Sequence, residues 1–147
     1  MQISYSDIAA KDYAPDWSFV EDAVSLAKWA DFYFVTLAAS DKTRHSVSRE
    51  VLDALGPEGM LINISRASNI DEEALIAALA DGRLGSAVLD VFEGEPAIDP
   101  RLKKLDNVLL QPHHASGTVE TRMVMGKLVR DNLAAHSEGR DLLTPVL

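Results

Sequence analysis

Apolar residues recur in two alternating rhythms, short continuous runs and stripes spaced three or four apart, which predicts strands joined by helices. Gln2–Ser6 has an extended look and ends at Asp7. Phe19, Val20, Ala23, Val24, Ala27 and Ala30 follow a helical period, predicting a helix over Phe19–Trp29. Asp31 then leads into Phe32–Leu37, an aromatic and β-branched run that reads as a buried strand. Ser46–Leu55 reads as a helix stopped by Gly56-Pro57, and Met60–Ile64 as another buried strand.

The clearest helix signal follows. Asp71 suits an N-cap, Glu72 and Glu73 suit the positive end of the helix dipole, and Gly82 suits a left-handed C-terminal cap. Ala74, Leu75, Ala78 and Leu79 form its apolar stripe. Ser86–Leu89 reads as a strand ending at Asp90, and Val108–Leu110 as a further short one. A long helix from about Thr118 to His136 closes the pattern, with Gly139 beyond it. Alternation of this kind implies an α/β fold with parallel strands and helical crossovers, here taken as one domain over residues 1–147. Ligands of such sheets bind outside the carboxyl ends of the strands. Asp7, Ser65-Arg66, Asp90 and Pro112-His113 stand at those ends.

Composition narrows the function classes. The chain has 147 residues, 47% of them hydrophobic, which is enough for one core. A net charge of −9 and a pI near 4.8 disfavour nucleic acid and anionic membranes as partners. A small anionic substrate would need a local cationic clamp, which directs attention to individual arginines. There is no cysteine, so disulfides, thiolate nucleophiles and cysteine-ligated zinc are excluded. The apolar runs are too short to span a bilayer and Met1–Ser4 lacks a secretory pattern, so a cytoplasmic protein is the expectation.

Individually, the candidate residues have ordinary readings. Arg66 at a strand end suits a carboxylate or phosphate, but it also suits a surface pair with Asp71 or Glu72. Asp90–Pro96 offers a carboxylate on a stiffened loop, or a solvated acidic turn. His113 suits proton transfer, and either His113 or His114 could be a capping or core histidine. Neighbouring histidines on an extended segment face opposite sides, so no metal site is expected.

Order and spacing carry more than any one residue. "LINISRASNIDEEALIAALADGRLGSAVLDVFEGEP" followed by "NVLLQPHHASGT" resembles the signature of the D-isomer-specific 2-hydroxyacid dehydrogenases. "LAASDKTRHSVSREVLDALGPEG" is similar to the stretch before it, and "NLAAHSEGRDLLTPVL" to the family's ending. Among subgroups, "DALGPEGMLIN" and "DVFEGEP" look most like bacterial glyoxylate/hydroxypyruvate reductases. The resemblance implies a Rossmann-like doubly wound parallel sheet and hydride transfer between NAD(P)H and a small 2-oxo or 2-hydroxy acid. By motif position, Arg66 would hold the substrate's carboxylate and carbonyl oxygen. His113 would be the general acid–base, and Glu95 would pair with it and keep its pKa high enough to carry the proton. Asp90 would contact the carboxamide and ribose side of the cofactor. Ser65 and Ser116 would line the nicotinamide pocket, with Thr43 and Ile64 as further cofactor contacts. Asp7 would accept the adenosine ribose hydroxyls, favouring NAD, while Lys11 nearby keeps NADP open. A homodimer is implied as well. The alternative is a non-catalytic NAD-sensing interaction domain of corepressor type on the same fold.

Three departures qualify the resemblance. Ala67 replaces the usual Gly after the arginine, and Ala38-Ala39-Ser40 replaces the usual Pro-Leu-Thr. No G-x-G-x-x-G occurs in the 147 residues, although the family carries that loop and its strand just upstream of a segment like Gln2–Asp7. The expectation is a partial dinucleotide-binding domain without its substrate domain, either a fragment of a longer protein or a chain completed by another. The missing strand is expected between the first strand here and Met60–Ile64. In isolation such a chain would bind cofactor weakly and reduce substrate negligibly.

Overall fold

The apolar runs become six strands and the striped segments four α-helices in a computed structural model, which describes residues 1–145. They are β1 (Ser4–Tyr5), β2 (Ser18–Phe19), α1 (Ala23–Trp29), β3 (Phe32–Val35), α2 (Arg49–Leu55), β4 (Met60–Asn63), α3 (Glu72–Ala80), β5 (Ser86–Leu89), β6 (Val108–Leu110) and α4 (Val119–Ser137). The chain packs as two compact units, one spanning Met1–His113 and the other running from His114 onward.

In the first unit β3, β4, β5 and β6 form one parallel sheet in that order, and β1 and β2 form a separate parallel pair. The sequence placed a missing strand between the first strand and Met60–Ile64; the structure leaves no room for it directly beside β4, only beyond β3. β4 is paired on both sides, with Phe32↔Met60 and Met60↔Ser86 in register, so β3 and β6 are the two edge strands of that sheet. Alternation within β3 explains the pairing: Tyr33 and Val35 are buried in the core, while Phe32 and Phe34 face outward and are exposed.

The helix expected over Phe19–Trp29 starts later. Ser18 and Phe19 are a strand instead, held by Val20 N–H donating to the Tyr5 carbonyl at 2.8 Å and by Phe19 packing on the Tyr5 ring. Asp22 caps α1 by accepting the Ser25 N–H at 2.8 Å. Ser46 and Val47 lie outside α2, because Val47 makes an isolated parallel bridge with Ile70. α3 follows the reading from sequence closely: Asp71 accepts the Ala74 N–H at 3.0 Å, and Gly82 caps it at φ +70°. A left-handed residue there costs least as glycine.

The core lies between the sheet and the layer formed by α1, α2 and α3. Leu52, Leu61, Leu75, Leu84, Leu89 and Leu102 are fully buried in it. Each such leucine contributes about 1.5–3 kcal/mol of burial, which anchors the strands whose carboxyl ends carry the polar residues. In the second unit, Thr118 caps α4 by accepting the Thr121 N–H, and Asn132 exchanges hydrogen bonds with Thr144. Val146 and Leu147, the last two residues of the family-like ending, lie outside the described residues.

Candidate active site

The end of β4 is built around an asparagine. Asn63 is buried, and its Oδ1 accepts both the N–H of Ser65 at 3.0 Å and its hydroxyl at 2.8 Å. Asn63 Nδ2 donates to the carbonyl of Arg66 at 3.2 Å. The chain therefore turns sharply after the strand and presents Arg66, exposed, ahead of a short 3-10 turn over Ala67–Asn69. One guanidinium nitrogen donates to the Ser65 carbonyl at 2.7 Å. Asp71 and Glu72, the surface partners that sequence allowed for Arg66, are engaged elsewhere: Asp71 caps Ala74, and Glu72 accepts the Glu93 N–H at 3.0 Å.

The end of β5 supplies a carboxylate. Asp90, Val91 and Phe92 are buried, and Gly94 turns the chain at φ +73°. Glu95 Oε1 accepts the Phe92 N–H at 2.8 Å and its Oε2 lies 3.0 Å from His113 Nδ1. The His113 ring, and secondarily the Phe92 N–H, hold the Glu95 carboxyl below its ordinary range. Glu72 steadies this loop from outside through Glu93.

The end of β6 supplies the imidazole. Adjacent histidines on an extended segment were expected, but His113 has φ +54°, just after its N–H closes a tight turn onto the Gln111 carbonyl at 3.0 Å. A histidine in this left-handed region costs on the order of 1 kcal/mol or more, and such outliers concentrate at working sites. His113 closes the first unit and His114 opens the second. Among the described residues no group of three His, Cys, Asp or Glu is placed to hold a metal ion.

Arg66, Glu95 and His113 line one cleft of about 300 Å³, together with Ala39, Ser68 and Phe92. A fork of five donors, a carboxylate and an imidazole oriented by it suit a small anion that gains or loses a proton. The other sequence candidates are placed differently. Asp7 lies just past β1, accepts the Ile8 N–H at 2.6 Å and pairs with Lys11 at 3.2 Å. Those contacts, the backbone N–H first, hold its exposed carboxyl below the usual range. Thr43 closes the loop after β3 by donating to the Ala38 carbonyl at 2.8 Å and accepting the Ser40 N–H. Ile64 is exposed, Ser65 is buried in the Asn63 network, and Ser116 is an exposed residue of the second unit. Sequence reasoning missed Asn63, Asn69 and Glu72. A polar residue ending an apolar strand was the only signal available for Asn63.

A family model described as "D-isomer specific 2-hydroxyacid dehydrogenase, NAD binding domain" matches residues 1–115. Hydroxyphenylpyruvate reductase of Plectranthus scutellarioides is 50% identical over 132 residues, covering 90% of this chain and 42% of the relative. Glyoxylate/hydroxypyruvate reductase A of Arabidopsis thaliana is 49% identical over 143 residues, 97% of this chain and 45% of the relative. Among solved structures, a 2-hydroxyacid dehydrogenase from Ketogulonicigenium vulgare is 78% identical with a TM-score of 0.92, covering 100% of this chain and 46% of that one. An NADPH-dependent glyoxylate/hydroxypyruvate reductase from Sinorhizobium meliloti, in complex with NADP and malonate, is 39% identical with a TM-score of 0.92, covering 99% and 45%. The chain thus spans a little under half the length of these relatives.

Proposed function

The chain belongs to the D-isomer specific 2-hydroxyacid dehydrogenase family, and from that premise we propose that it carries the acid–base and carboxylate-binding residues of an NAD(P)-dependent reductase of small 2-oxo acids. Glyoxylate and hydroxypyruvate are the proposed substrates, in line with the named relatives. One observation carries the reading: the Glu95–His113 contact at 3.0 Å lies in the same cleft as Arg66. Reductases among the relatives favour this over a non-catalytic sensing domain.

Arg66 grips the substrate carboxylate and steadies the adjacent carbonyl oxygen with its remaining donors. Glu95 accepts the hydrogen bond from His113 Nδ1–H, which fixes the ring and leaves Nε2 as the nitrogen facing substrate. His113 then delivers its Nε2 proton to the carbonyl oxygen as negative charge develops there, and the Arg66 charge lowers the energy of that developing alkoxide. NAD(P)H, when bound, supplies the hydride that adds to the carbonyl carbon. The product is a 2-hydroxy acid, and in the reverse direction neutral His113 takes the hydroxyl proton.

The residues present fit such a cofactor. Asp7 offers an exposed carboxylate to a ribose diol and would repel a 2′-phosphate, which favours NAD. Lys11, 3.2 Å away, offsets part of that repulsion and leaves NADP usable. Thr43, Ile64, Ser65, Asp90 and Ser116 are proposed as the further cofactor contacts. The protein is read as a cytoplasmic homodimer; among the described residues no helix is long and apolar enough to cross a membrane. The exposed Met123, Val129 and Leu133 of α4 supply apolar surface consistent with self-association. The test is NADH and NADPH oxidation by the native gene product with a panel of 2-oxo acids. His113→Ala should lower kcat/KM by about 10²-fold or more; undiminished turnover in that variant would end the reading.

A further inference from the structure

We propose that Asn69 is a positioning residue for Arg66, holding the arginine's backbone at the cleft through Ser65 and Asn63; the proposal rests on the reading of Arg66 as the carboxylate clamp. Asn69 is completely buried at the end of the 3-10 turn that follows Arg66. Both hydrogens of its amide are committed, one to the Leu37 carbonyl at 2.9 Å and one to Ser65 Oγ at 3.1 Å. The Ser65 hydroxyl donates in turn to Asn63 Oδ1, and Asn63 Nδ2 donates to the Arg66 carbonyl. The same carbonyl also accepts the Asn69 backbone N–H at 3.2 Å. A continuous relay therefore runs from the exit of β3, through Asn69, Ser65 and Asn63, to the peptide of Arg66.

The amide's orientation follows from its partners. Turning it over would set Oδ1 against the Leu37 carbonyl, acceptor against acceptor. In the orientation that works, Oδ1 is buried with no partner among the described residues. A side chain kept only to fill this space would be apolar, since a buried carbonyl without a donor destabilises the fold. The donors are what the location requires. They fix the segment from Ser65 to Arg66 to the neighbouring strand exit, and a guanidinium that must meet a small carboxylate tolerates little displacement of its backbone.

The experiment compares Asn69→Leu with wild type in the native gene product, with Arg66→Gln as a reference. Asn69→Leu keeps the branching at Cγ, drops the two donors and removes the unpartnered carbonyl. Its melting temperature should fall modestly, because the Leu37 carbonyl and Ser65 Oγ lose a donor and the leucine is the larger side chain. The KM for the 2-oxo acid and the inhibition constant of oxamate, which cannot accept hydride, should each rise about tenfold. The KM for NADH should stay within about twofold. An unchanged KM and oxamate constant would overturn the proposal, and so would a parallel rise in the NADH constant, which signals general distortion. If Asn69→Leu does not fold, Asn69→Ala reads the same three constants with the same expectations. Failure of the underlying reading is separate: Arg66→Gln would then leave 2-oxo acid reduction and oxamate inhibition untouched.

Discussion

Replacing Glu95 with Gln keeps the length of the side chain and removes one charge and one acceptor. Both carboxylate oxygens are in use, Oε1 on the Phe92 N–H at 2.8 Å and Oε2 on His113 Nδ1 at 3.0 Å. A Gln amide has one acceptor oxygen and one donating nitrogen, so it can serve only one of these partners well. With its oxygen on Phe92, its NH2 donates to Nδ1 and drives the ring to the neutral form protonated at Nε2. With its oxygen on His113, its NH2 meets the Phe92 N–H, donor against donor. Either way His113 loses the negative charge that supports its imidazolium, and a neutral imidazole N–H is a far weaker acid. We expect kcat/KM for 2-oxo acid reduction to fall about 10²–10³-fold, equivalent to about 2.7–4.1 kcal/mol of transition-state stabilisation.

Stability should hardly move. The pair is partly exposed, with 49% of the His113 side chain and 35% of the Glu95 side chain open to solvent. Such pairs contribute about 0–1 kcal/mol, a shift of at most about 4 °C in melting temperature for a chain of this size. The sign with pH is also fixed. Glu95 has a folded pKa below its ordinary 4.5, so its contribution is present above that pH and lost as pH falls through the lowered value. Glu95→Gln should remove that acid-side loss. Steady-state NADH oxidation across pH, beside a thermal melt, measures both effects. A variant whose kcat/KM stays within about threefold of wild type, with the same pH profile, would refute the role given to Glu95.

Two further outcomes follow from the frame around the site. Burial, more than the neighbouring charges of Glu93, Asp99 and Glu73, raises the Glu72 carboxyl above its ordinary 4.5, against the lowering effect of the Glu93 N–H. A raised acid favours folding fully below that pH and loses its contribution as pH climbs through the raised value. Glu72→Gln should therefore melt at or above wild type at neutral pH and match it near pH 4.5; a lower neutral melting temperature would contradict the sign. At Gly85, an added Cβ would stand 2.5 Å from the Pro57 carbonyl oxygen and 2.8 Å from that of Gly59. Backbone cannot rotate aside, so Gly85→Ala should lose about 1–3 kcal/mol in urea denaturation, and an unchanged midpoint would show the loop to be looser than described.

Where a local rule decides the outcome, the sequence was legible. Asp71 and Gly82 bound α3 as their cap chemistry requires, and β4, β5 and β6 fall within a residue of the apolar runs that announce them. What failed was non-local. Ser18–Phe19 is a strand only because β1 pairs with it, and two residues carry no period of their own. The neighbours of Met60–Asn63 could not be read from its composition either. Strand order depends on which faces the helices cover, and that emerges only when Tyr33 and Val35 turn inward to the core they share with Ala27, Val51 and Leu52.

The candidate site divides along the same line. Arg66, Glu95 and His113 could be named in advance because their order and spacing resemble one family's signature, although each alone had an ordinary reading beside its strand exit. Their convergence on one cleft was implied by that resemblance and by no residue alone. It depends on Gly94 at φ +73° and His113 at φ +54°, conformations that aim a carboxylate and an imidazole at each other across 18 residues of sequence. The support beneath Arg66 was still less visible. Asn69 reaches a carbonyl 32 residues earlier, in a loop whose path nothing near Asn69 specifies. Residues that touch the reacting atoms are constrained by chemistry and can be recognised by type. Those that hold them are constrained only by distance, so an amide, a hydroxyl or a backbone N–H serves wherever the fold happens to bring one. That asymmetry is why Asn69→Leu, rather than another change at Arg66, tests whether the cleft's geometry is imposed by the fold beneath it.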